Sequence, residues 1–228
     1  LASYDYEREN YTELLWFFEG FTSYYDDLLL RRAGLLDDAA YLKLLSKSIN
    51  QVLQAPGRYV QSVAQASFDA WVKFYRMDEN TPNATISDYS KGALVALCLD
   101  LTLRNEGSTL DDVMRTLWQR CEGGAMAESD LRAVLQQLTG RSFDAEIDAW
   151  VHSTADLPLA QLLAAHGVAL QPEAAQPAQR LGLRVSENHA VQIKTVLRGG
   201  LAERAGMAAG DEWLGIEVDG QGWRLSKL

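Results

Sequence analysis

Cysteine and positive charge are both scarce in this sequence. Its two cysteines, Cys98 and Cys121, lie in separate helical patterns, so no disulfide framework is expected and a reducing compartment is favoured. Its 21 Lys and Arg face 31 Asp and Glu, a net charge of -10 that argues against nucleic acid as a partner. No apolar run approaches the roughly 20 residues of a membrane span. We therefore expect a soluble protein; the sequence does not decide its compartment, and its cysteine usage favours the cytoplasm over the periplasm.

Most of the chain has helical periodicity. Apolar residues recur at helical spacing from Asn10 to about Gly167, which indicates an all-α region. Asn10 and Glu13 match a capping box for a first helix that ends near Arg32, with Gly34 as its C-terminal cap. Polar residues and glycines that typically begin and end helices recur further along the chain. They predict helices from Asp37 or Asp38 to Pro56, from Ser87 or Asp88 to Leu103, and over 110–121, 129–138, 143–152 and 158–166.

The composition changes after this helical region. Residues 171–179 contain two prolines and no large apolar side chain, which is typical of an exposed linker. Beyond them, short β-branched runs at 183–185, 191–197 and 213–218 alternate with glycine-rich turns, which indicates strands. We therefore predict a mainly α fold with a helical domain over 1–170, a linker over 171–179 and a small β-rich domain over 180–228.

Two positions on predicted helices have side chains suited to chemistry. Glu19 lies among aromatic residues in the segment LLWFFEGFTSYY, where an ionised carboxylate needs a cation, a donor network or a proton unless it simply faces solvent. Tyr89 lies in the first turn of an apolar helix, where its hydroxyl either donates to a developing oxyanion or belongs to an ordinary half-buried aromatic side chain. Gly92 in the same helix predicts close approach by another backbone.

Three long stretches of the chain resemble the glycyl aminopeptidase family of zinc metallopeptidases. They are YDYERENYTELLWFFEGFTSYYDDLLLRRAGL, SFDAWVKFYRMDENTPNATISDYSKGALVALCLDL and LPLAQLLAAHGV. The resemblance implies the helical C-terminal half of a thermolysin-like catalytic domain, in a group related to aminopeptidase N. It implies that Glu19, in W-x-x-E-G, is the third protein ligand of zinc, and that Tyr89, in Y-x-K-G, stabilises the tetrahedral intermediate. It also implies peptide substrates with N-terminal Gly or Ala.

The sequence lacks the H-E-x-x-H segment that would complete such a zinc site. Its three histidines, His152, His166 and His189, do not pair at that spacing, and we interpret them as surface or local structural residues. In the family, this segment lies shortly before W-x-x-E-G, so the resemblance places it upstream of Leu1. We therefore expect zinc in the intact protein, and little zinc binding and no hydrolysis by the present chain.

The C-terminal residues resemble the first part of a PDZ domain, in RLGLRV, VQIKTVL and RGGLAERAGMAAGDEWLGIEVDG. The resemblance implies that Leu181, Gly182 and Leu183 hold a peptide C-terminal carboxylate through backbone N–H groups. A small β domain that only packs against the helical part is the alternative. For the whole protein, the alternative function is a peptide-binding module that uses this domain on a non-catalytic helical scaffold.

Overall fold

The computed structural model describes residues 5–188 and 190–228 and confirms a mainly α fold with a small β region. Within these residues, no helix combines the length and the hydropathy that crossing a bilayer requires. Residues 5–170 contain helices α1 (Leu15–Arg32), α2 (Asp38–Leu53), α3 (Val63–Phe68), α4 (Thr81–Ala84), α5 (Asp88–Asn105), α6 (Leu110–Cys121), α7 (Glu128–Thr139), α8 (Asp144–Trp150) and α9 (Leu159–Ala165), with a 3-10 helix over Pro56–Tyr59 between α2 and α3.

Two of the predicted helix starts have the expected side-chain caps. The Asp37 carboxylate accepts a hydrogen bond from the Ala40 N–H at 2.7 Å, and the Ser87 hydroxyl accepts one from the Ser90 N–H at 3.2 Å. Each bond satisfies a backbone donor that a helix leaves without an intrahelical partner at its start. Gly34 follows α1 with a left-handed φ of 75°, as a glycine cap does. The sequence signals at these ends are confirmed.

The predicted capping box at the start of α1 is wrong. The helix begins at Leu15, because the Asn10 amide is occupied by the preceding turn: its Nδ2 donates to the carbonyl of Asp5 at 2.8 Å and its Oδ1 accepts from the Asp5 N–H at 3.0 Å. A residue distant in sequence satisfies the helix start instead. The Ser67 hydroxyl, on α3, accepts from the Trp16 N–H at 2.9 Å. This helix start is therefore satisfied by a tertiary contact, which no pattern in the neighbouring sequence predicts.

The core is organised around α1 and α5. Both helices bury most of one face, with Trp16 and Phe21 on α1 and Val95 and Leu99 on α5 almost entirely inaccessible to solvent. Asp100, also buried, accepts hydrogen bonds from the Tyr24 hydroxyl at 2.8 Å, from Arg104 at 2.9 Å and from the Leu110 N–H at 2.8 Å. Three donors on one buried carboxylate fix the relative positions of α1, α5 and α6.

The C-terminal region contains α10 (Pro177–Leu181), α11 (Leu201–Arg204) and five short strands, β1 (Leu183–Ser186), β2 (Val191–Val196), β3 (Glu212–Trp213), β4 (Gly215–Val218) and β5 (Gln221–Arg224). One antiparallel sheet has the order β1-β2-β3, and β4 pairs with β5 in a second. The predicted third strand is therefore divided between two sheets. The end of the predicted linker is helical, since α10 begins at Pro177 as proline at a first helical position favours.

One buried amide joins the β region to the helical region. The Asn83 Nδ2, on α4, donates to the Val196 carbonyl at 2.8 Å, and its Oδ1 accepts from the Arg198 N–H at 2.8 Å. Asn83 therefore bonds the backbone just at the end of β2 with both of its polar atoms. This contact fixes the sheet against the region that precedes α5.

Candidate functional site

Glu19 and Tyr89 are brought together by the packing of α1 on α5. Gly20 lies against Gly92 so closely that a Cβ on Gly92 would lie 2.9 Å from the Gly20 Cα and 2.5 Å from the Trp16 carbonyl oxygen. The predicted close approach at Gly92 is confirmed. A second contact between the two helices lies C-terminal to the first on both of them, where the Tyr24 hydroxyl of α1 donates to Asp100 of α5. The two helices therefore run in the same direction, and their first turns lie at the same end.

Glu19 is half-buried one residue before this glycine contact. Its carboxylate has no hydrogen-bond or ion-pair partner within residues 5–188 and 190–228. Its negative charge nevertheless contributes to raising the pKa values of Asp88 and Tyr89, so the three groups share one electrostatic environment. A partly desolvated carboxylate without a partner is suited to binding a cation.

Tyr89 is held as a protonated donor. Its ring stacks on Phe74 with the centroids 5.4 Å apart and the planes 20° apart. Burial raises the pKa of Tyr89, and the neighbouring Tyr75 phenol and the charge of Glu19 raise it further. The phenol therefore keeps its proton throughout the physiological pH range and is available to donate a hydrogen bond to a developing negative charge.

Asp88 is a member of this group that sequence reasoning missed. Its side chain is buried and neither carboxyl oxygen meets a donor in hydrogen-bond geometry. Burial raises the pKa of Asp88 to about 6, with a further contribution from Glu19, although the backbone N–H groups of Asp88 and Tyr89 lie near enough to oppose the rise. Burial outweighs these amides, because neither of them forms a hydrogen bond with the carboxyl group. An Asp in the first helical turn has the same sequence signature as an ordinary cap.

A pocket of about 360 Å³ opens beside Tyr89. It lies between the end of α2, the segment before α5 and strand β1, so residues far apart in sequence enclose it. Its walls combine apolar side chains with hydroxyl groups, and its lining includes one cation from the β region. Its lining residues are Gln51, Val52, Ala55, Phe74, Met77, Thr81, Pro82, Thr85, Ile86, Ser87, Tyr89, Ser90 and Arg184.

The part of the chain that the structure describes does not form a metal site by itself. No group of three or more His, Cys, Asp or Glu side chains there is arranged to hold an ion. Glu19 fits the role of one ligand, since its carboxylate is half-buried and without a partner, whereas a catalytic zinc takes three protein ligands. Zinc therefore requires further ligands that these residues do not supply.

Two of the three histidines have local structural partners, as predicted. The His152 Nε2 lies 2.8 Å from a carboxylate oxygen of Glu128, and the His166 Nδ1 donates to the Leu162 carbonyl at 2.9 Å. His189 lies outside the described residues. Neither described imidazole is positioned near Glu19 by these contacts.

The predicted carboxylate-binding segment lies at the junction of α10 and β1. Leu181 ends α10, Leu183 begins β1, and Gly182 joins them with a left-handed φ of 75°. The Gly182 N–H donates to the Gln179 carbonyl at 3.1 Å, and the Gly182 carbonyl accepts from the Leu197 N–H at 2.8 Å. Peptide binding by this segment stays a prediction.

The chain is similar to known aminopeptidases. Residues 1–95 match the family model described as M61 glycyl aminopeptidase. The crystal structure of an aminopeptidase N family protein from Idiomarina loihiensis is 36% identical over 92% of this chain, with a TM-score of 0.86. The match spans 39% of the length of that protein. No curated protein sequence matches the chain. The match over residues 1–95 and the shared fold together support the assignment of this chain as a glycyl aminopeptidase-family fragment.

Proposed function

We propose that this chain is part of a zinc-dependent aminopeptidase that removes small N-terminal residues, Gly or Ala, from peptides. The observation that carries the proposal is the half-buried Glu19 carboxylate, which has no partner among the described residues and is placed near Tyr89 by the Gly20–Gly92 helix contact. Peptide substrates and metal dependence are both supported by the family match.

In this proposal, Glu19 is one metal ligand and Tyr89 donates to the oxyanion of the tetrahedral intermediate. When bound, zinc supplies a Lewis acid for the scissile carbonyl and lowers the pKa of its water. The raised pKa of Tyr89 keeps the phenol in its donor form over the working range. The remaining two ligands and the general base would come from an H-E-x-x-H segment outside this chain. The chain alone is therefore expected to bind zinc weakly and to hydrolyse no peptide.

The decisive test is zinc content in the full-length protein. Glu19→Gln keeps the size of the side chain and removes its charge, so zinc affinity should fall by roughly 100-fold or more, together with hydrolysis of Gly- and Ala-peptides. Glu13→Gln, at an exposed carboxylate just before α1, should change neither. Full zinc occupancy and activity in Glu19→Gln would refute the metal-ligand role.

A second candidate function is peptide capture by the β region without catalysis. Strand β1 lies at the edge of its sheet among the described residues, so a peptide could pair with it as an added strand. The Leu181–Leu183 segment would then contact the peptide terminus. A full-length protein that binds C-terminal peptides in fluorescence polarisation but contains no zinc would favour this function over the first.

A further inference from the structure

The pocket beside Tyr89 has an unusual charge for this protein. Arg184 is the one charged side chain among the described residues that line it, and no acidic residue is included in that lining. The chain as a whole carries a net charge of -10. A site with a single positive charge in an acidic protein attracts an anion that most of the remaining surface repels.

Arg184 is free to bind such an anion. No hydrogen bond or ion pair joins its guanidinium to another residue in the described parts of the chain, and its side chain is exposed on β1 next to the buried Leu183. Its backbone position is fixed, because Arg184 pairs with Thr195 on β2 and Asn83 bonds the backbone at the end of β2. The guanidinium is therefore tethered to a backbone that is held against the helical region.

The opposite wall of the pocket offers hydroxyl groups that can donate to an anion. Ser87 and Ser90, at the start of the 18-residue helix α5, line it together with Tyr89. The start of a helix carries a partial positive charge. Asp88 cancels this effect when it is ionised, although its carboxyl group is buried and is not part of the lining. Arg184 is therefore the group that would bind an anion directly.

We propose that Arg184 binds the C-terminal carboxylate of a short peptide substrate whose scissile bond lies at Tyr89, an inference that rests on the proposed function. The pocket of about 360 Å³ lies at the small end of the range for ligand sites, about 300–1,000 Å³. It extends from Tyr89 to Arg184 and so suits the residues that follow the scissile bond in a short peptide. Arginine binds a carboxylate through two parallel N–H donors. The enzyme should therefore select short peptides with a free carboxyl end.

The test compares peptide acids with peptide amides in the zinc-loaded full-length protein. Gly-Ala-Ala should be hydrolysed with a kcat/KM about 10-fold to 100-fold higher than Gly-Ala-Ala amide, the usual effect of one charge-assisted hydrogen bond. In Arg184→Gln this ratio should fall to near one by loss of activity on the acid alone. Arg184→Lys should retain part of the preference.

Arg180→Gln is the matched control. Arg180 is exposed on α10, four residues before Arg184, and does not line the pocket, so its substitution should leave the acid-to-amide ratio unchanged. A second arm compares Gly-Glu amide with Gly-Gln amide. If the glutamate side chain alone restores full preference, the anion is a substrate side chain and the assignment to the peptide terminus is wrong.

Failure of this inference can be distinguished from failure of the proposed function. Equal hydrolysis of acid and amide by the unmodified protein would overturn the role of Arg184 and leave the aminopeptidase assignment standing. No hydrolysis of either peptide by a zinc-loaded protein would overturn the proposed function, and the role of Arg184 with it. A ratio that persists in Arg184→Gln would show that another group selects the carboxylate.

Discussion

Gly20 of α1 and Gly92 of α5 are in backbone contact: a Cβ on Gly20 would lie 2.5 Å from the Gly92 Cα. This distance leaves no room for a side chain at either position, because the opposing atoms are backbone and cannot rotate away. The contact lies next to Glu19 on one helix and one turn after Asp88 and Tyr89 on the other. It therefore sets the separation of the proposed metal ligand and the proposed oxyanion donor.

Gly92→Ala should destabilise the chain by about 2 kcal/mol or more. Overpacking against the Trp16 carbonyl should exceed the roughly 1 kcal/mol that alanine contributes through helix propensity. Urea unfolding followed by circular dichroism measures the difference. Gly222→Ala is the matched control, since a Cβ there meets nothing within 4 Å and should change stability by less than about 0.5 kcal/mol. A stabilised Gly92→Ala would show that the helices can separate freely.

The helices and part of the site follow from local sequence signals. Asp37 and Ser87 are polar caps whose partners lie three residues away, so a short window of sequence contains both ends of each bond. Gly92 is similar, because an unfavourable glycine inside an apolar helix has few explanations other than close packing. The W-x-x-E-G and Y-x-K-G motifs indicate Glu19 and Tyr89, and the contact between α1 and α5 brings the two motifs close together.

The remaining features depend on contacts between distant residues. Asp88 and Asp38 both occupy the first position of a helix, yet Asp88 is buried and Asp38 is exposed, a difference set entirely by tertiary packing. Arg184 lines one side of the pocket and Tyr89 another, although about a hundred residues separate them in the sequence. The start of α1 likewise depends on Ser67. No local pattern in the sequence carries this information.

Tyr89→Phe should lower the kcat of the full-length protein by about 100-fold to 1,000-fold with zinc content unchanged, as expected for loss of one oxyanion donor. Phenylalanine retains the stacking on Phe74, so the fold should persist. Tyr75→Phe is the matched control: it removes the neighbouring phenol, which contributes to raising the pKa of Tyr89, but leaves the proposed donor in place. Steady-state kinetics with metal analysis measures both variants. An unchanged kcat in Tyr89→Phe would contradict the proposed role.

Asp88→Asn should change how stability depends on pH. The pKa of Asp88 is raised from its ordinary value of 3.8 to about 6, so the folded chain binds a proton that the unfolded chain releases between about pH 4 and pH 6. The contribution of Asp88 to stability is therefore present at pH 4 and lost as the pH rises through 6. At pH 8, Asp88→Asn should be more stable than the unmodified chain by about 1–3 kcal/mol, because a buried charge without a partner is removed.

Urea unfolding at pH 4, 6 and 8 measures the free energy of unfolding of Asp88→Asn and of the unmodified chain. The difference between the two values at each pH reports Asp88 alone, because the other titrating groups are common to both proteins. Asp38→Asn is the matched control, since Asp38 has the same position in α2 but is exposed. Its stability difference should show no comparable rise between pH 4 and pH 8. A constant difference for Asp88→Asn across this range would mean that the carboxyl group finds a partner when it ionises.

Asn83→Ala should loosen the β region while leaving the helical core intact. It removes both bonds of the buried amide and leaves the Arg198 N–H without its acceptor at 2.8 Å. Loss of about 1.4 kcal/mol in local stability should speed hydrogen exchange at this N–H by roughly 10-fold. The Leu99 amide, in the buried part of α5, should keep its protection.

Two further variants separate the two halves of the Asn83 contact. Asn83→Asp keeps an acceptor for the Arg198 N–H but places an oxygen against the Val196 carbonyl, so its exchange rate should lie between those of the unmodified chain and Asn83→Ala. Asn50→Ala, at an exposed position on α2, should leave the rate unchanged. Because Asn83 fixes the strand pair that carries Arg184, Asn83→Ala should also reduce the preference for peptide acids over amides. Unaltered exchange at Arg198 in Asn83→Ala would show that the sheet is held by other contacts.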